Sequence, residues 1–468
     1  MADAILDALG PVLTRWTMGG SAAAHAPADW RDALDTDARE AELRLLALSG
    51  QLLGTLAVAQ PVGEVRPRGD IPALAQPPLP DALRPRARRL LQQIRDARTR
   101  RHLLDFIDAR GWSLHPGDWM PRPDEDVPAV YAAWQDWAAA AGSASVAPET
   151  LSIENWDEFA PAARHAAFAA LRKQDPAQAS LLLMDKIAGE SADRRLRLLE
   201  TLATALSDVD RPLLERLTGD RGARVKELAI ALLARLGHGG GGDEDGMDLA
   251  AFFTIQTKGL LRRTRVIVPE ALKTPARRNR RATLFETLSY DGFAQALGLS
   301  ATDLTAAWPW GQDLFGDQQL AAMAARSGSD RIVDMVADAA SVASTIDAQT
   351  LVELSPRLTP YRRRQVATRL LGAQDTSFAM ALAIVGGDGG IDEAIRTAAG
   401  TALLGLLASE DARPGDHADA LLALGLIASR SAARQALNDL AAAGLVASDP
   451  RLDMLRLNAA LDIRRPTE

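Results

Sequence analysis

Cysteine is absent from the 468 residues. That excludes a disulfide scaffold, a Cys-ligated zinc or iron–sulfur site and a thiol nucleophile, and it fits a chain with no use for an oxidising compartment. Lysine is scarce as well: only Lys173, Lys186, Lys226, Lys258 and Lys273 stand among 53 basic residues, so arginine carries nearly all the positive charge. No apolar run approaches the roughly 18 residues that cross a bilayer, and Met1–Asp7 carries acid where a secretion signal carries base. The expectation is a cytoplasmic protein with no membrane segment. Gly-x-x-x-x-Gly-Lys-Ser/Thr, Gly-x-Gly-x-x-Gly, His-Glu-x-x-His and Gly-x-Ser-x-Gly are all missing. A non-catalytic protein with no cofactor, no metal and no catalytic residue is therefore expected.

What is present is helical punctuation. The composition, 47% hydrophobic and 24% charged, is that of a folded protein, and the length asks for several domains or a repeat array. Leu43, Leu46, Ala47, Gly50 and Leu53 follow the spacing of a buried helical stripe. Prolines 61, 67, 72, 77, 78, 80 and 85 then force an extended crossing. Tyr131, Trp134 and Trp137 recur every third residue on one helix face, and seven of nine tryptophans precede residue 157. Asn155 with Glu158 has the spacing of a capping box. Asp175-Pro176, Ser191 and Asp210 are N-cap candidates, as are Ser300 with Asp303, Thr359-Pro360 and Asp449-Pro450. Gly372, Gly386-Gly387 and Gly444 fall where helices end. Arg265-Val-Ile-Val268 predicts one short strand, closed by Pro269.

These signals predict an all-α protein: a Trp-rich helical domain over 1–145 with the proline-rich crossing at 61–85, helical repeats over 150–236, a glycine and acidic linker at 237–247, and a helical-repeat domain over 248–468 with at most a short β insertion. The boundary is expected in the small-residue stretch 140–150. Asp243, Glu244 and Asp245 lack the alternating spacing of a calcium loop and read as solvated linker.

The net charge of -8 conceals two basic islands. Arg84–Arg101 and Arg262–Arg281 each carry +7, leaving -22 for the remainder. Arg86, Arg89, Arg262, Arg263, Arg277, Arg278, Arg280 and Arg281, with Arg362 and Arg363, are candidate partner-binding residues. A solvated arginine face is the plainer account of such runs. His102/Asp105 and His115/Asp118 each set a base near a carboxylate, too few groups for a metal or nucleophile site. The stretch Trp112–Pro123 with its following aromatics brings His115, Asp118, Trp119, Arg122, Trp134 and Trp137 together, and is the candidate loop site for a small ligand.

Asp220–Leu236, with Val225, Leu228, Ala229, Leu232, Leu233 and Leu236 on one face, resembles the second half of a HEAT repeat. His115–Trp137, Asn155–Arg164 and the helices from Asp175 to Leu236 together resemble a bacterial α-helical, HEAT-like family of unknown function. That resemblance implies genes encoded beside a MoxR-type AAA ATPase, a von Willebrand A-domain protein and a SWIM zinc-finger protein, and hence an α-solenoid scaffold or adaptor binding an AAA ATPase or von Willebrand A-domain partner. The alternative is a HEAT-like nucleic-acid-binding protein whose arginine islands line one groove; its affinity would fall steeply with salt.

Overall fold

The computed structural model describes residues 2–34, 36–56, 69–122, 125–139, 151–159, 161–238, 244–258, 264–343, 345–409 and 417–462. With 67% of the structure in helix and 4% in strand, the protein is all-α. No helix among the described residues is long and apolar enough to cross a membrane. The boundary expected at 140–150 lies outside the described residues, as do residues 239–243 of the glycine linker. The chain divides into two compact units, Met1–Asp70 and Ile71–Glu468, and the division falls within the proline-rich crossing.

The first unit is built from the helices Ala2–Thr17 and Ala38–Leu56, joined by 3₁₀ turns at Ala23–His25 and Ala28–Ala33. Leu9, Val12, Ala22, Ala26 and Leu45 form its small core. Glu42 organises it. The carboxylate accepts from the Trp16 indole at 2.9 Å, from the Ala22 and Ala23 amides at 2.6 and 2.8 Å, and from the Ser21 hydroxyl. These donors set the rotation of the second helix, turning Ala41, Leu45 and Ser49 inward. The stripe read from the sequence is thereby corrected: Leu43 and Leu46 are each 57% exposed, and Ala47 and Gly50 face outward too. Hydrophobic spacing chose the face with more leucine; a polar network chose the other.

In the second unit, residues 151–236 enclose a core of their own, running from Leu151 and Trp156 to Leu232 and Leu233. The predicted stripe is borne out there, with Val225, Ala229 and Leu232 essentially inaccessible. At its centre lies Arg172, 1% exposed. Its guanidinium binds Asp210 at 2.6 and 2.8 Å and donates to the carbonyls of Pro176, Leu202, Thr204 and Ala205. Ala205 has a φ of 58°, a left-handed conformation uncommon for a residue with a Cβ, and Arg172 holds its carbonyl. Asp175 caps the helix Pro176–Lys186 as the sequence indicates. Asn155 opens the 3₁₀ helix Trp156–Glu158 but the capping box does not form: its side chain accepts from the Ser152 amide and makes no cap bond, and the α-helix begins at Pro161. Ser207 and Asp210 form a capping box instead.

The larger core joins residues 79–134 to residues 249–461. Glu244–Ala250 is a helix that starts within the expected linker. It leads into an antiparallel hairpin of Phe253–Lys258 with Thr264–Pro269, in which Ile255 pairs with Ile267, so the strand expected at 265–268 has a partner. Phe253 packs against Phe285, Phe293 and Trp308 at ring separations of 5.3–6.1 Å. Helices follow, with side-chain caps from Ser300, Ser329 and Thr359.

Arginine recurs as the link between neighbouring helices. Arg172 to Thr204, Arg216 to Met184, Arg235 to Ala203 and Arg357 to Ala325 are guanidinium-to-carbonyl bonds that each span 32 residues. Each occupies a carbonyl at or near a helix C-terminus, where the backbone has run out of its own donors.

Candidate protein-interaction site

The first basic island is largely neutralised by the fold. Arg84 and Arg88 converge on Asp118 at 2.7 and 3.3 Å. Arg86 and Arg89 converge on the buried Asp453 at 3.2 and 2.8 Å. Arg100 meets Glu125, and Arg101 meets Asp105 and Asp126. In the second island Arg262 and Arg263 lie outside the described residues. Arg277 stacks 5.1 Å over Phe252 and reaches Glu270 at 3.4 Å. Arg280 binds Asp245 and Asp248, both at 2.7 Å, and Arg281 is buried beside Asp313. Arg278 is exposed. Arg362 binds Asp334 at 3.2 Å and Asp338 at 2.6 Å, whereas Arg363 donates to the Val385 carbonyl at 3.4 Å.

The candidate loop is used chiefly for packing. Trp119 meets Tyr131 edge to face at 5.2 Å, and Tyr131 meets Trp134 at 5.6 Å. The Trp134 indole donates to the Pro72 carbonyl at 2.9 Å, and the Tyr131 hydroxyl accepts from the Leu114 amide at 2.9 Å. His115 accepts from the Gly117 amide two residues on. The hydrogen bond from Arg84 holds the Asp118 carboxyl below its ordinary range, even though burial opposes the shift. Arg122 is exposed, with its amide turned to Glu125, and Trp137 is half-buried. Trp134 also borders a 270 Å³ cleft shared with Pro72, Pro77 and Pro116. The packing thus joins Trp119 and Trp134 through Tyr131, while His115 is engaged by Gly117 and Asp118 by Arg84 and Arg88.

A larger opening lies elsewhere. A groove of 630 Å³ runs between the end of Arg84–Gln93, the start of Ala97–Asp108, the helices Phe378–Val385 and Ala418–Ile427, and the turn Pro450–Leu452. Leu90, Ile94, Leu382 and Leu422 line its apolar floor, and Arg95, Asp96, Asp419 and Arg451 stand among its polar lining. Asp96 is spent on the Thr99 amide as an N-cap, and Arg451 grips Asp449. Among the described residues Arg95 and Asp419 make no ion pair. The groove can therefore receive an apolar side chain while offering one free charge of each sign. Sequence reasoning missed it because its walls are more than 270 residues apart in the chain; Phe378–Val385, apolar at every position, was the one local signal.

Residues 131–289 match the model of a family of unknown function (DUF5691). The chain is similar to that family over this stretch, which takes in Trp134 and Trp137, the Arg172–Asp210 core and the β-hairpin. The groove residues and His115–Arg122 fall outside it. No curated protein and no solved structure matches the chain.

Proposed function

We propose that the protein is a non-catalytic scaffold or adaptor whose helices stack as a HEAT-like solenoid and bind protein partners. The observation that carries this reading is the 630 Å³ groove, with its apolar floor and with Arg95 and Asp419 in no ion pair among the described residues. Such a cleft suits an anchoring side chain flanked by charge, the arrangement that concentrates affinity at protein interfaces. The arginine-to-carbonyl bonds between neighbouring helices support the repeat reading, since helices stacked in succession can satisfy one another's last carbonyls. The partners proposed, from the sequence resemblance, are a MoxR-type AAA ATPase or a von Willebrand A-domain protein, in the cytoplasm.

The nucleic-acid alternative draws less support, because most arginines named for it already bind carboxylates and so offer phosphate a weakened field. The test is capture of the tagged full-length chain from its host, with and without nuclease, beside the half-buried groove variant Leu422→Glu. Enrichment of an AAA ATPase or von Willebrand A-domain protein that resists nuclease and is lost in the variant supports the proposal. Loss of every partner on nuclease treatment overturns it in favour of nucleic acid.

A further inference from the structure

The helix Ala38–Leu56 buries its less apolar side. Ala41, Leu45 and Ser49 turn into the first unit, while Leu43, Leu46, Ala47 and Gly50 form an outward stripe about two turns long. A Cβ added to Gly50 would meet nothing within 4 Å among the described residues, so the stripe is open at that end. Single exposed leucines are ordinary, but residues aligned at i, i+3, i+4 and i+7 are the pattern by which one helix packs on another. Little lies behind this face. Among the described residues the core of the first unit is Leu9, Val12, Ala22, Ala26 and Leu45, a size at which small folds commonly draw stability from association.

The residue order along the stripe is self-complementary in one direction only. Its midpoint falls between Leu46 and Ala47. Two such helices packed antiparallel about a two-fold axis at that midpoint bring Leu43 of each copy opposite Gly50 of the other, a large side chain over an open space at both ends. At the centre Leu46 meets Leu46, and Ala47 meets Ala47. Packed in parallel, Leu43 would crowd Leu43 while Gly50 faced Gly50 across a void. Charge selects the same direction. Arg39, Glu40 and Arg44 lie in the first half of the helix, and residues 48–56 contain no ionisable group. Antiparallel pairing sets each charged half beside the other copy's uncharged half, with Arg39 toward the negative end of the other helix dipole. Parallel pairing sets Arg39 beside Arg39 and Arg44 beside Arg44.

We propose that Leu43, Leu46, Ala47 and Gly50 form a self-association surface through which two copies of this chain pair their Ala38–Leu56 helices antiparallel. A contact of this length is at the small end of specific interfaces, so the dimer forms by mass action and follows concentration. The stripe shares no residue with the groove, and the proposal stands or falls independently of the scaffold reading. In a dimer the chain presents its groove twice, which strengthens binding to a multivalent partner.

The test is sedimentation velocity of the full-length protein over about two decades of concentration. A concentration-dependent shift from monomer to dimer is expected. Leu46→Glu, which sets two carboxylates together at the two-fold axis, should weaken association about tenfold or more. Leu181→Glu, at a leucine 67% exposed on another helix, should leave it unchanged. Because the chain has no cysteine, oxidative cross-linking of introduced cysteines reads the direction. A mixture of Leu43→Cys and Gly50→Cys chains should form a disulfide between the two faster than either variant does alone. A protein that stays monomeric across the range overturns the proposal and leaves the stripe to its own chain or to a different protein. Equal weakening by Leu181→Glu overturns it as well, as does cross-linking of Leu43→Cys to itself as fast as to Gly50→Cys, the mark of a parallel pair.

Discussion

The first unit and the 151–236 block solve one problem at two depths. Each gathers donors around a single carboxylate, Glu42 in the first and Asp210 in the second. Around Glu42 the donors are two amides, an indole and a hydroxyl beside a core of five fully buried residues. Around Asp210 the donor is chiefly Arg172, sealed in a core of eighteen buried residues. Neutral donors near the surface give an arrangement tuned by pH. A guanidinium–carboxylate pair away from water gives one whose halves depend on each other.

The largest expected effect comes from splitting the deep pair. Arg172→Ala strands the Asp210 charge and leaves several carbonyls without donors, at a cost of about 3–5 kcal/mol. Denaturant unfolding followed by circular dichroism should show this as a large fall in midpoint, and an unchanged midpoint would mean that Asp210 finds other partners. Glu42→Ala should cost less, about 1–2 kcal/mol, because water can reach the donors it releases. Limited proteolysis between residues 1 and 56 reads that loss without involving the rest of the chain.

The pH dependence sharpens the contrast. Burial pushes the Glu42 carboxyl up, but the bonds from Ser21, Trp16, Ala23 and Ala22 together outweigh it and hold the carboxyl at about 2, against an ordinary value of 4.5. A depressed folded value means the carboxylate stabilises the unit fully above about pH 4.5 and loses that contribution as pH falls toward about 2. Wild type should therefore become more protease-sensitive across that window, while Glu42→Gln should show a flatter profile; parallel profiles would show that Glu42 does not govern the transition. The smallest effect is expected at Trp134→Phe, which keeps most of the ring packing and loses the bond to Pro72, at about 1 kcal/mol. A drop in midpoint equivalent to more than about 2 kcal/mol would show that the proline-rich segment depends on this single bond.

Local signals were legible where one segment carries its own reason. Asp175-Pro176, Ser300 and Thr359-Pro360 announce helix starts because the capping oxygen and its amide lie three residues apart. The Val225–Leu232 stripe was readable because its face is uniformly apolar. The Leu43–Leu46 stripe misled because Glu42, one residue away, had partners 19–26 residues back that no periodicity shows. The pairing of the arginine islands was hidden in the same way: Asp453 lies more than 360 residues from Arg86 and Arg89.

By itself, then, the sequence determined the helical class, most helix starts and the lack of cysteine chemistry, since each depends on composition or on residues within a turn of one another. Which arginines are spent on carboxylates, which face of the helix Ala38–Leu56 is buried, and that Arg95 and Asp419 share one groove were decided only by tertiary structure. Charge pairing and cleft formation act through space, between groups that the chain holds far apart.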